Sequence, residues 1–188
     1  KVLLSRFTMV DVALKVVGVG SVGTRCWVML LEGRDDQDPL FLQIKEAVPS
    51  VLEDHLRPSE YSHQGRRVVE GQRLIQAQTD IFLGWTTGRN AKQYYVRQLR
   101  DWKGSANVDQ GTALEASFYA NLCARTLARG HARSGDAVAI SAYAGVSSKL
   151  DDAIAEFSMR YASQNLRDYA AFTQAIAEGV LPVAKAAV

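Results

Sequence analysis

Three glycines in the run Val16-Val17-Gly18-Val19-Gly20-Ser21-Val22-Gly23-Thr24 constrain this chain more than any other feature. A G-x-G-x-x-G spacing lets backbone amides approach phosphate oxygens, because glycine has no Cβ to obstruct them and tolerates positive φ. The pattern alone does not specify a fold, and a hairpin whose glycines merely turn the chain uses it equally well. The residues that follow narrow the choice. Arg25-Cys26-Trp27-Val28-Met29-Leu30-Leu31 is bulky and apolar, with no N-cap and no polar face. The turn-rich segment Glu32-Gly33-Arg34-Asp35-Asp36-Gln37-Asp38-Pro39 comes next, then a second apolar run, Leu40-Phe41-Leu42-Gln43-Ile44-Lys45-Glu46-Ala47. This predicts a strand into the glycines, a strand out to Leu31, a loop and a third strand ending at Lys45.

Two folds use such a loop for phosphate. In a dinucleotide-binding βαβ unit the glycines open a helix, a second strand follows, and an acidic residue lies about 20 positions on. Asp35 and Asp36 invite that reading, but a helix from Ser21 to Leu31 leaves no room for a second strand before them. In a kinase-like fold the glycines form a hairpin tip, and a lysine on the third strand reaches the phosphates. The hairpin pattern favours the second fold. Lys45 then points either to solvent, as a strand lysine commonly does, or under the glycine turn.

Residues 51–56 form a short helical candidate cut by Pro58, and residues 66–80 take helical periodicity with Glu70 in the first turns. In a kinase-like lobe that glutamate pairs with the strand-three lysine; otherwise Glu70 is an ordinary surface carboxylate. His55 and His63 flank a polar loop with no carboxylate or cysteine at ligand spacing, so solvated side chains are expected. Residues 80–87 and 93–100 read as two more strands around Gly88-Arg89-Asn90. Arg97 and Arg100 alternate with Val96 and Leu99 as on a solvated strand face. The expected class is α+β: a kinase-like amino-terminal lobe with an antiparallel sheet of about five strands and one main helix, followed by a helical region. The division falls between a β-rich nucleotide-binding lobe over residues 1–104 and a helical region over residues 105–188.

In the second part, residues 112–129 are Ala-rich and read as a helix buried on most sides and ended by Gly130. His131 and Asp136 fit either a polar interhelix loop or an acid–base pair. Residues 136–143 begin a short helix, and residues 148–177 a long one whose stripe of Ile154, Phe157, Tyr161, Phe172 and Ile176 reads as core, with Gly179 and Pro182 as stops. A net charge of +2 gives no argument for nucleic acid or an anionic membrane, and no run approaches the roughly 18 apolar residues of a spanning helix. Cys26 and Cys123 lie in apolar segments and read as reduced core thiols, which fits a cytoplasmic setting. The chain opens without methionine directly into apolar sequence and reads as a piece of something longer.

Several blocks together resemble the uncharacterised bacterial domain-of-unknown-function family 2252. They are the glycine run with Arg25, residues 39–47, Val68-Val69-Glu70-Gly71-Gln72-Arg73-Leu74, Tyr95-Val96-Arg97-Gln98-Leu99-Arg100-Asp101, residues 128–136 and Tyr161-Ala162-Ser163-Gln164-Asn165. They run in the family's order across nearly the whole chain, which resembles the carboxy-terminal part of longer members. The family is similar to the protein-kinase and aminoglycoside-phosphotransferase group, in a circularly permuted form. The resemblance implies an ATP-binding part of a phosphotransferase of unknown acceptor. It matches Gly18, Gly20, Ser21, Gly23 and Lys45 to the nucleotide loop and its lysine, and Glu70 to the pairing glutamate. The family's catalytic-loop-like and Asp-Phe-Asp-like segments precede the glycine loop and have no counterpart here. Ligands for Mg²⁺ are therefore expected outside this chain, in the rest of the same polypeptide or a second copy. Two alternatives stand beside this reading: a non-catalytic nucleotide-binding or interaction module, and a dinucleotide-binding oxidoreductase.

Overall fold

A computed structural model of the chain describes residues 3–16, 18, 23–100, 104, 107 and 110–183. Five strands form one sheet: β1 (Thr8–Leu14), β2 (Cys26–Glu32), β3 (Pro39–Glu46), β4 (Gly84–Thr87) and β5 (Gln93–Gln98). Every neighbouring pair is antiparallel, and the order across the sheet is β1-β2-β3-β5-β4. The helix α1 (Gln64–Ile75) lies between β3 and β4 in sequence, and α2 (Ala113–Ser134), α3 (Ala137–Ala144) and α4 (Lys149–Ala177) follow the sheet. The α+β class expected from the sequence, an antiparallel five-stranded sheet followed by helices, is the observed one.

The apolar run after the glycines is β2, paired along its whole length with β3 from Cys26 opposite Lys45 to Glu32 opposite Pro39. A βαβ unit needs a helix there, so the local geometry of the dinucleotide reading is absent from Cys26–Glu32. Val12 and Leu14 share one parity of β1, opposite Met29 and Trp27, as the alternation predicts. They nevertheless stay exposed, because β1 is an edge strand with a bulge at Val10 and nothing packed over it among the described residues.

Side chains alternate across a sheet, so the register defines two faces. On one, Leu31, Leu40 and Leu42 are buried and packed by Leu4, Phe7, Met29, Phe82 and Val96. Phe7 and Phe82 meet edge to face at 6.3 Å. Burying each leucine contributes about 2 kcal/mol. The other face carries Cys26, Gln43, Lys45, Tyr95, Trp85 and Arg97, and α1 lies over part of it. Gln64 N donates to Gln93 Oε1 at 2.6 Å, and Arg66 and Arg73 stack on the Trp85 ring at 5.7 and 5.9 Å. Val69 is fully buried under the helix.

The start of α1 assigns His63 a structural task in place of the solvated one expected. Its Nδ1 accepts from Arg66 N at 3.1 Å as the N-cap, which leaves Nε2 to donate to Thr87 Oγ1 at 3.1 Å. At the β4–β5 turn, Asn90 and Ala91 take φ of 59° and 57°, the left-handed pair of a tight hairpin.

The chain divides into two compact units, Lys1–Asp136 and Ala137–Val188. By this measure α2 groups with the sheet, and Arg133 Nε donates to Leu74 O at the end of α1. A capping box starts α2: Thr112 Oγ1 accepts from Glu115 N, and Glu115 Oε2 accepts from Thr112 N at 2.7 Å. That amide holds the Glu115 carboxyl below the usual range. The helix runs through Gly130 to Ser134, so His131 is helical and the expected loop shrinks to Gly135 and Asp136. One glycine inside a helix costs only about 1 kcal/mol, too little to end one with this much alanine. Phe118, Leu122, Leu127 and Cys123 are exposed, against the expected buried helix and buried thiol.

In the second unit, α4 ends in a Schellman motif: Gly179 has φ 72°, its N donates to Ile176 O, and Val180 N donates to Ala175 O. Phe157 and Tyr161 stack at 5.7 Å on the predicted stripe, but Ile154, Phe157, Tyr161 and Phe172 are exposed, Ile176 is half-buried, and the stripe builds no core among the described residues.

Candidate functional site

The chain that leaves Gly23 and the third strand meet at one corner of the sheet. Lys45 is the register partner of Cys26, three positions past Gly23, and Glu46 N donates to Arg25 O at 2.8 Å. The backbone carrying Lys45 is thereby bound to the chain as it leaves the turn. Gly23 has φ 81°, a conformation that costs any other residue about 1 kcal/mol or more. Among the described residues, a Cβ at Gly18 would meet nothing within 4 Å. Gly20 and Ser21 lie outside the described residues.

Lys45 shares its sheet face with Cys26 on one side and Tyr95 on the other. Burial pushes the Tyr95 phenol up, partly countered by the Arg97 charge. Glu70 sits on α1, which covers this same face near β4 and β5. Its Oε1 lies 3.3 Å from Arg73 Nη1 and 3.9 Å from Arg66 Nε, so two arginines of its own helix share the carboxylate.

Two further residues of this face form a polar pair, of which Gln43 went unrecognised in the sequence. Gln43 is 4 % exposed, and its Oε1 accepts from both Arg97 Nε (3.1 Å) and Nη2 (2.9 Å), while its Nε2 faces Cys26 Sγ at 3.5 Å. Arg97 is thus fixed by a buried amide and is not the freely solvated strand arginine expected. The available signal was a lone glutamine inside the apolar run Leu40 to Ile44.

Glu46 points to the opposite face from Lys45, as strand alternation requires. Lys92 Nζ donates to its Oε1 at 2.6 Å and Arg25 N to its Oε2 at 3.2 Å, which holds the carboxyl below the ordinary glutamate range. A depressed carboxyl pKa contributes stability above its unfolded value of about 4.3 and loses it as pH falls through the folded value. Lys92→Met is therefore expected to destabilise by about 1 kcal/mol at pH 7. The difference from wild type should shrink as pH falls below about 4. Urea titrations at both pH values measure it, and a pH-independent difference would contradict the assignment.

Among the described residues, no three His, Cys, Asp or Glu side chains gather as metal ligands, and no helix is long and apolar enough to cross a membrane. Residues 1–175 match the family described as an uncharacterized protein conserved in bacteria (DUF2252). No curated protein and no solved structure matches the chain.

Proposed function

The chain belongs to the DUF2252 family, and from that premise we propose that it is the ATP-binding part of a kinase-like phosphotransferase. One observation carries the reading: Lys45 sits on the third strand directly beside the exit of the glycine turn, on the sheet face that the Glu70 helix covers. The order of parts agrees with it, with glycines between β1 and β2, a lysine on β3, and a glutamate on the helix between β3 and β4.

In this reading the amides of the turn and the Lys45 ammonium neutralise charge on the ATP phosphates, and Glu70 orients the lysine. Phosphoryl transfer needs positioning and charge stabilisation more than covalent chemistry. Mg²⁺, when bound, would supply positive charge to offset that of the phosphates. Its ligands, and the base that accepts the acceptor's proton, come from outside this chain, because the sequence has neither an Asp-Phe-Asp nor an Asp-Phe-Gly segment. The same missing segments favour a second reading, nucleotide binding without turnover.

Gly20→Val tests the loop, since a β-branched side chain blocks backbone approach to phosphate. Calorimetric titration with Mg-ATP is expected to show at least tenfold weaker binding, about 1.4 kcal/mol. Unchanged affinity would make the glycines a mere turn.

A further inference from the structure

A cleft of about 680 Å³ opens between the carboxy-terminal end of α1, the segment after it and the end of β5. Its lining includes Gln72, Gln76, Thr79, Asp80, Arg97 and Arg100, and none of Gly18, Gly23, Lys45 or Glu70. The volume lies within the range of small-molecule sites, about 300–1,000 Å³.

The charges in the cleft are not balanced. Arg97 is braced by Gln43 Oε1, a neutral acceptor, so its position is fixed, and no carboxylate pairs with it among the described residues. Arg100 is exposed and has no carboxylate partner among the described residues. Asp80 is the only acidic side chain lining the cleft among the described residues, and both its oxygens are occupied by backbone. Oδ1 accepts from Phe82 N at 2.8 Å and Oδ2 from Gln98 N. The arrangement presents two guanidinium groups, one of them rigidly held, beside the amides of Gln72 and Gln76 and the Thr79 hydroxyl.

We infer that this cleft is a binding site for a small polar anion, with Arg97 and Arg100 taking its phosphate or carboxylate group and the glutamines and Thr79 its hydroxyl-bearing body. Guanidinium donors suit planar carboxylates and phosphate oxygens alike, through paired charge-assisted hydrogen bonds. A fixed Arg97 loses little side-chain freedom on binding, which favours affinity. The site is independent of the glycine turn and does not rest on the ATP reading.

The test is an amide chemical-shift titration of the ¹⁵N-labelled 188-residue chain with inorganic phosphate and, separately, with citrate. Saturable shifts are expected at residues 76–81 and 97–100, and the tighter of the two probes identifies the anion class. Arg100→Gln lies on an exposed side chain and leaves the sheet intact; it should weaken that binding at least fivefold. Lys45→Met should leave it unchanged. The inference is overturned if shifts at 76–81 and 97–100 are absent or do not saturate with either probe. Shifts undiminished in Arg100→Gln, or confined to the glycine turn, overturn it equally.

Discussion

Gly65→Ala should destabilise the sheet unit by about 3 kcal/mol, although alanine is the better helix former. A Cβ at position 65 would stand 2.2 Å from the Tyr94 carbonyl oxygen, 2.7 Å from its carbon and 2.9 Å from the His63 ring. The first two are backbone atoms of β5, which is hydrogen-bonded to β3 on one side and β4 on the other and has little freedom to yield. Helix α1 must therefore retreat, straining the Gln64–Gln93 hydrogen bond, the His63 cap and the packing of Val69, which is 0 % exposed. Gly71 is the matched control. It lies in the same helix with nothing within 4 Å of an added Cβ, so Gly71→Ala should stabilise by about 0.5–1 kcal/mol. Urea unfolding of both variants gives opposite signs if α1 packs on β5 as described. Two stabilising substitutions would contradict the close approach at Gly65.

Lys45→Met should weaken Mg-ATP binding at least 30-fold, about 2 kcal/mol, while the melting temperature stays nearly unchanged. Methionine matches the length of the lysine stem, so the packing between Cys26 and Tyr95 is retained and only the ammonium is lost. The selectivity of the effect is what makes it informative. A lysine holding the fold would lower stability and affinity together, whereas a lysine holding phosphate lowers affinity alone. Retained affinity would remove Lys45 from the site.

The fold was legible where local pattern and tertiary pairing agree. The uncapped apolar run Cys26 to Leu31 permits no amphipathic helix, and its pairing with Leu40 to Lys45 follows from the short polar loop between them. The Gly179 stop and the Gly88-Arg89-Asn90 turn were legible because glycine and asparagine accept positive φ. Thr112-x-x-Glu115 is a capping-box signature that was open to reading and marks the start of α2. Burial was harder to read. Composition shows that Phe118, Leu122 and Phe157 are apolar but not what covers them, and in the described residues they are exposed. Long-range side-chain partners were not legible at all. Arg97 and Gln43 are 54 positions apart, and His63 and Thr87 are 24, so nothing local in the sequence announces either bond.

At the candidate site, the glycines and Lys45 stand out by type and spacing, while the two arginines that share Glu70 lie one turn to either side of it on the same helix. A second carboxylate beside Lys45 in sequence, Glu46, is turned to the opposite face and occupied by Lys92. Strand alternation puts these two neighbours on opposite faces.

The nucleotide reading is tested most directly by titrating Mg-ATP into the ¹⁵N-labelled chain and following the amide shifts residue by residue. Saturable shifts are expected centred on residues 18–26 and 43–46, around the glycine run and Lys45. No saturable shift, or shifts confined to residues 76–81 and 97–100, would contradict nucleotide binding at the glycine turn.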